Sequence, residues 1–395
     1  MDELQNPFSP GAGSPPPELA GRSALLNRAE TILGRIQRGK NEQSMMLVGL
    51  RGVGKTVLLN RVRDSSESMG FGVVMVEATE SRKLPDLLAP GMRKILFQLD
   101  TMAGVNDKVK RGLRVLRSFI GALKVKAAEI EFGLDINPER GTADSGDLES
   151  DLSELLTAVG EAAKARGKAV AIIVDEIQYL SEAEMSALIM GIHRVSQRQL
   201  PVILVAAGLP QLVGLAGRSK SYAERLFTYP QVGPLGDHDA KEALSGPVGA
   251  QGVSFTEDAL EEIVRVTRGY AYFLQEWGYQ SWNLATQTPI DKEVVKQATA
   301  ASIQKLDESF FRVRFDRLTP RERDYMRAIA ELGTGPHRSG DIADCLKVQV
   351  RSIAPLRSGL IKKGMIYSPA HGDTAFTVPL FDEFMRRTMP NWVAT

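Results

Sequence analysis

The octapeptide Gly49-Leu50-Arg51-Gly52-Val53-Gly54-Lys55-Thr56 constrains this chain more than any other feature. It lies between two apolar runs, Met45-Met46-Leu47-Val48 and Val57-Leu58-Leu59. Strand, glycine loop and helix, in that order, is the context in which G-x-x-x-x-G-K-T forms a phosphate-binding loop. The residue types supply the chemistry. Glycines let the backbone turn its N–H groups inward around an anion. A helix opening near Gly54 adds the positive end of its dipole. Lys55 offers a charge to the β- and γ-phosphates, and the Thr56 hydroxyl is a ligand for Mg²⁺. The candidate nucleotide contacts are Gly49, Arg51, Gly52, Val53, Gly54, Lys55, Thr56 and Val57.

A second motif complements the first. Ala169-Val170-Ala171-Ile172-Ile173-Val174-Asp175-Glu176 is a continuous apolar run closed by two acids. Such a run fits a central parallel strand covered on both faces. Ligands bind at the carboxyl ends of such strands. Asp175 is therefore expected to share the metal with Thr56, and Glu176 to orient or deprotonate an attacking water. Further strands are expected at 71–77 (FGVVMVE) and 201–207. Helical stretches fall between them at 24–39, 84–124 and 148–166, and one opens from the capping box Ser181…Glu184. This alternation predicts an α/β fold, a parallel sheet covered by helices.

The 395 residues suffice for two or three domains. A net charge of +1 gives no global attraction to nucleic acid or membrane, so any such site must be local. The lone Cys345 excludes an internal disulfide, and four scattered histidines offer no zinc cluster. The opening MDELQNPFSPGAGSPPP is acidic and proline-rich, unlike a signal peptide. No apolar run approaches the length of a membrane span. A soluble, cytoplasmic chain without a membrane partner is the expectation. The basic stretch from Lys108 to Arg117 reads as a solvated helix face. Residues 125–136 read as an extra strand or hairpin arm, and the role of 104–147 stays open.

Four segments are expected: an extended arm at 1–19, a core at 20–236, a helical lid at 237–305 and a winged helix at 306–395. The arm carries five prolines and can pack on a neighbouring domain. The lid has candidate helices near 238–248, 257–267, 270–287 and 291–306. Residues 306–319 read as a connector. Thr319-Pro320 opens a helix with a cap and a proline at its first position. Helices near 340–346 and 350–363 follow, then a hairpin turning at Gly372. Three helices and a hairpin form a winged helix-turn-helix. Its third helix carries Arg351, Arg357, Lys362 and Lys363 and no acid. Double-stranded DNA and a protein partner are both open as what it binds.

With these motifs in place, the chain resembles ATPases of the AAA+ and STAND groups, above all the origin-recognition-like ones, from residue 15 onward. PPPELAGRSALLNRAE looks like the segment that precedes the phosphate loop there and helps enclose adenine. The resemblance implies that role for Leu19, Ala20, Gly21 and Arg22. It implies an arginine finger at Arg225, directed at a neighbouring subunit's γ-phosphate; a salt bridge with Glu224 is the alternative. It also implies ATP and Mg²⁺ as ligands, slow hydrolysis, and a possible homo-oligomer. No Asn-Lys-x-Asp motif points to GTP.

Two positions depart from the pattern. Ala206-Ala207-Gly208 lacks the polar sensor residue often found there. Gly269-Tyr270-Ala271-Tyr272-Phe273 has tyrosine where many lids carry a sensor arginine, and is similar to the STAND motif Gly-x-Pro with Ala271 in place of proline. Two functions remain open: a switch coupling nucleotide state to DNA binding, and a signalling or defence scaffold whose winged helix docks protein. A small-molecule kinase would need an acceptor site that nothing in the sequence suggests.

Overall fold

The computed structural model describes residues 1–11, 13, 16–102, 104, 106–125 and 136–394. They fall into two compact units. One contains Ala24–Val48 and Lys55–Gln231; the other contains Met1–Ser23, Gly49–Gly54 and Val232–Thr395.

The first unit is built on a sheet. Its strands are β1 (Ser44–Val48), β2 (Gly72–Glu77), β3 (Val170–Asp175), β4 (Val202–Gly208) and β5 (Phe227–Thr228). Among the described residues they run β2-β3-β4-β1-β5, every pair parallel. Parallel neighbours cannot be joined by hairpins, so helices make the crossovers. α1 (Ser23–Gln37) precedes β1, and the crossover helices are α2 (Lys55–Ser68), α3 (Leu84–Asp100), α4 (Asp107–Ala122), α5 (Leu148–Ala165), α6 (Glu182–Gln197), α7 (Leu212–Ser219) and α8 (Ala223–Leu226). Every residue of β1, β3 and β4 is buried, which is why their sequences are unbroken apolar runs. The edge strand β2 is only partly covered. The capping box on α6 forms as its sequence requires, Ser181 and Glu184 exchanging hydrogen bonds.

The helical stretch 84–124 divides into α3 and α4, with Asn106 capping the second. The basic stretch on α4 is not simply solvated. Lys108 and Arg111 pair with Glu161, and Arg111 and Arg114 with Glu139. These arginines hold the Glu139 carboxyl below its ordinary value. The strand or hairpin arm expected at 125–136 lies almost entirely outside the described residues.

The second unit gathers the stretches expected as arm, lid and winged helix around one apolar core. The lid helices are α9 (Asp237–Gly249), α10 (Glu257–Thr267), α11 (Ala271–Leu284) and α12 (Lys292–Lys305). The arm packs on α11. Phe8 is buried, Asn6 donates to the Tyr279 carbonyl at 3.1 Å, and the Trp282 indole donates to the Asp2 carbonyl at 2.9 Å.

The connector expected at 306–319 is mostly helical. A π-helical turn at Leu306–Phe311 carries α12 into α13 (Arg312–Asp316). Its aromatic spacing explains this: Phe311 and Phe315 both meet Phe384, at centroid separations of 5.3 and 5.8 Å. Burial of three large rings favours a helix where a loop would leave them in water.

The last part comprises α14 (Pro320–Leu332), β6 (His337–Arg338), α15 (Ser339–Cys345), α16 (Val350–Lys362), β7 (Ile366–Tyr367), β8 (Asp373–Phe376) and α17 (Phe381–Thr388). Three helices and an antiparallel sheet ordered β6-β8-β7 are the elements expected of a winged helix. Thr319 and Glu322 make the capping box that starts α14. α17 is an addition, its Phe381, Phe384 and Met385 buried in the shared core.

Candidate functional site

In the sheet unit, the carboxyl end of β3 meets the start of α2. The Thr56 hydroxyl donates to Asp175 Oδ2 at 2.6 Å, and the Glu176 amide donates to Asp175 Oδ1 at 2.8 Å. Lys55 and Asp175 are each 6% exposed, and the lysine's charge acts on the carboxyl. Burial pushes the Asp175 carboxyl up from its ordinary value; the two hydrogen bonds and Lys55 oppose the rise, while the Glu176 charge adds to it. A hydroxyl, a buried carboxylate and an ammonium thus converge at the strand ends. Hydroxyl and carboxylate oxygens are the hard donors that Mg²⁺ takes, and the hydroxyl–carboxylate bond marks where they could hold one. Glu176 follows at the tip of β3 with φ 49° and ψ 36°, which turns the chain out of the sheet.

The phosphate-type loop Gly49–Gly54 joins β1 to α2 along the chain. Gly52 and Gly54 have φ of 80° and 94°, where a Cβ is strongly disfavoured. Val57 lies in the first turn of α2.

The second unit grips this loop through its backbone. Arg22 is buried, and its guanidinium Nη2 donates to the carbonyls of Val53 at 3.2 Å and Gly233 at 2.6 Å. Burial lowers its pKa from the ordinary value, and the nearby Asp239 carboxylate partly opposes that. The Tyr272 amide donates to the Gly52 carbonyl at 3.0 Å, and the Arg51 amide donates to the Thr377 carbonyl at 3.2 Å. Arg22, Val53 and Asp239 are therefore brought together, with Gly21 packed against the Asp239 side chain and Ala20 buried. Tyr272 and Thr377 are contacts that sequence reading missed. Tyr272 falls within the lid motif singled out as departing from a sensor arginine, which was the available signal. A main-chain acceptor such as Thr377 leaves none.

Arg225 lies elsewhere. It is exposed on α8, just before β5, and its carbonyl accepts from Gln43 at 2.7 Å. Phe227 pairs with Ser44 at the amino end of β1, whereas Asp175 closes the carboxyl end of β3. In a parallel sheet these are opposite edges, so Arg225 does not join Thr56 and Asp175 within one chain. Its guanidinium makes no ion pair with Glu224 or any other described residue.

The four basic residues of the third winged-helix segment separate into two pairs. Arg351 and Lys362 are exposed. Arg357 is bound inside the domain, donating to Thr374 Oγ1 and Ser368 Oγ at 2.8 Å each and to the Asp373 carbonyl at 2.7 Å. Lys363, which follows α16, pairs with Glu322 at 2.7 Å and donates to the Arg317 carbonyl. The exposed stripe of α16 is Arg351, Pro355, Ser358 and Lys362, three to four residues apart.

Residues 18–205 match the family model of an AAA ATPase domain, and residues 308–385 match a domain of unknown function. An uncharacterised HTH-type transcriptional regulator of Methanocaldococcus jannaschii is 24% identical over 369 residues, 90% of this chain and 85% of that protein. The Walker-type ATPase of Pyrococcus abyssi has a similar fold, with a TM-score of 0.60 at 16% identity, covering 93% of this chain and 96% of that one. The Aeropyrum pernix Orc1 protein, solved in complex with DNA, gives a TM-score of 0.45 at 17% identity, covering 94% and 93%.

Proposed function

We propose that this chain, whose residues 18–205 match an AAA ATPase domain, is a nucleotide-dependent switch whose winged helix binds duplex DNA. The backbone of Gly49–Gly54 cradles the phosphates, with Arg22 bracing the loop at Val53. Lys55 neutralises charge on the β- and γ-phosphates. Thr56 and Asp175 would hold Mg²⁺, which when bound would offset charge on the phosphate oxygens. Glu176 takes the proton of the attacking water as its oxygen bonds to the γ-phosphorus and the bond to the ADP oxygen breaks. Arg225, exposed at the amino-terminal end of the sheet's strands, would act on the γ-phosphate of a second copy of the chain.

One observation carries the coupling: the phosphate-type loop is hydrogen-bonded both to the lid, at Tyr272, and to the winged helix, at Thr377. A loop that reshapes around a triphosphate disturbs both bonds, and differential affinity for two states is what lets a ligand drive such a change. The exposed Arg351, Ser358 and Lys362 on α16 support DNA as the target, as does likeness to an HTH-type regulator.

The test is duplex DNA binding by the full chain with ATP, ADP or no nucleotide across a salt series. Four phosphate contacts give a log–log slope of about −3.6. Binding is expected to differ between nucleotides. No binding at low salt in any state rejects DNA as the target.

A protein-docking winged helix is the second reading. It is favoured by Val348, just before α16, and Val350, its first residue, 40% and 49% exposed, and by the internal use of Arg357 and Lys363.

A further inference from the structure

The sheet unit contains a contact that neither motif accounts for. After Asp175 the chain passes through Glu176 in the left-handed region, which side chains other than glycine seldom adopt. A 3₁₀ turn at Ile177–Tyr179 follows, anchored by the fully buried Ile177. The turn brings Gln178 back over the strand ends. Its Nε2 donates to the Glu176 carboxylate, while its Oε1 accepts the Leu209 amide at 3.1 Å. Leu209 follows the last residue of β4, so its N–H lies beyond the parallel ladder. Both ends of one side-chain amide are thus engaged, and the amide cannot rotate without losing a bond. The neighbouring backbone is shaped to admit it. A Cβ on Gly208 would stand 2.8 Å from Gln178 Oε1.

We propose that Gln178 is a positioning residue that clips the Glu176 carboxylate to the end of β4. It supplies there the polar contact that Ala206-Ala207-Gly208 cannot. A group that takes a proton from water must be held in a narrow range of orientations, and a glutamate side chain has three torsions to lose. Gln178 fixes them without touching nucleotide. The clip also ties the carboxylate to β4, so a shift at that strand end reaches Glu176 through one side chain.

The inference rests on the reading of Glu176 as the group that activates water. Glu176→Gln tests that premise alone: it should retain nucleotide binding and lose turnover. Full turnover in that variant would sink the premise before Gln178 is altered. With the premise standing, Gln178→Ala in the full chain should lower kcat by about tenfold or more while leaving the Kd of a fluorescent ATP analogue within about twofold. Gln178→Glu keeps an acceptor for Leu209 but loses the donor to Glu176, and should lower kcat in the same way. It keeps the proposal testable should the alanine variant not fold. In the Glu176→Gln background, adding Gln178→Ala should reduce residual phosphate release no further, because Gln178 acts only through the carboxylate. A kcat within about twofold of the parent in Gln178→Glu overturns the proposal. So does an equal loss of nucleotide affinity, or a further loss in the double variant.

Discussion

At the scale of single residues, the candidate site depends on groups whose charge is out of place in a protein interior. Lys55 and Asp175 are almost fully buried, and neither would be tolerated there without a partner. Lys55→Ala removes the cation facing Asp175, and should weaken ATP binding by at least about tenfold and abolish phosphate release. Isothermal titration and a phosphate-release assay read the two effects separately. Arg22→Ala should also weaken ATP binding, but by loosening the loop rather than by removing a phosphate contact. Its guanidinium is spent on the Val53 and Gly233 carbonyls. Arg22→Lys keeps the charge but loses the planar guanidinium that sets Nη2 between the two carbonyls, so it should not restore affinity. Full recovery by lysine would assign Arg22 to direct charge recognition instead.

At the scale of elements, α16 separates side chains of the same type by what each one touches. Arg351→Ala and Lys362→Ala should each lower DNA affinity and reduce the salt slope by about 0.9, with the melting temperature unchanged. Arg357→Ala should instead destabilise the domain by about 1–3 kcal/mol, because three hydrogen bonds inside it are lost. Thermal melting beside salt-dependent binding distinguishes the two classes. The start of α14 makes a pH prediction. Burial raises the Glu322 carboxyl, but Lys363 and the Thr319 amide and hydroxyl outweigh it and leave it below its ordinary value. A carboxyl depressed in the folded state stabilises above its unfolded pKa, and that contribution is lost as pH falls through the folded value. Melting temperature should therefore fall from about pH 5 toward pH 3, and Glu322→Gln should flatten that part of the curve. An unchanged acid limb in the variant would remove Glu322 from the account.

At the scale of the whole molecule, a residue near the end of the chain touches a loop encoded more than three hundred positions earlier. The Thr377 carbonyl accepts from Arg51, and the Thr377 hydroxyl anchors the same segment to the Gly364 and Met365 carbonyls. Thr377→Val removes the anchor at nearly constant volume. It should shift ATP affinity or basal turnover by about threefold to tenfold, without any change in the residues expected to meet ATP. Nucleotide affinity identical to the parent would show that the contact transmits nothing.

The sequence by itself determined the elements whose physics is local. Buried central strands had to be unbroken apolar runs, so β1, β3 and β4 were legible to within a residue or two. Capping boxes at Ser181 and Thr319, and glycines at Gly52 and Gly54, are set by neighbours a few positions away. The Asp175–Thr56 pairing was readable because each motif fixes its own strand end and a parallel sheet brings those ends to one edge. Only the tertiary structure decided the rest. It turned the connector after α12 into helix, because Phe311 and Phe315 find Phe384 some seventy residues on. It turned Arg357 and Lys363 inward and left Arg351 and Lys362 outside, although the four read alike along the chain. It set Arg225 at the opposite edge of the sheet from Asp175. The physical reason is the same in each case: hydrogen-bond partners and burial are properties of neighbours in space, and periodicity reports only neighbours along the backbone.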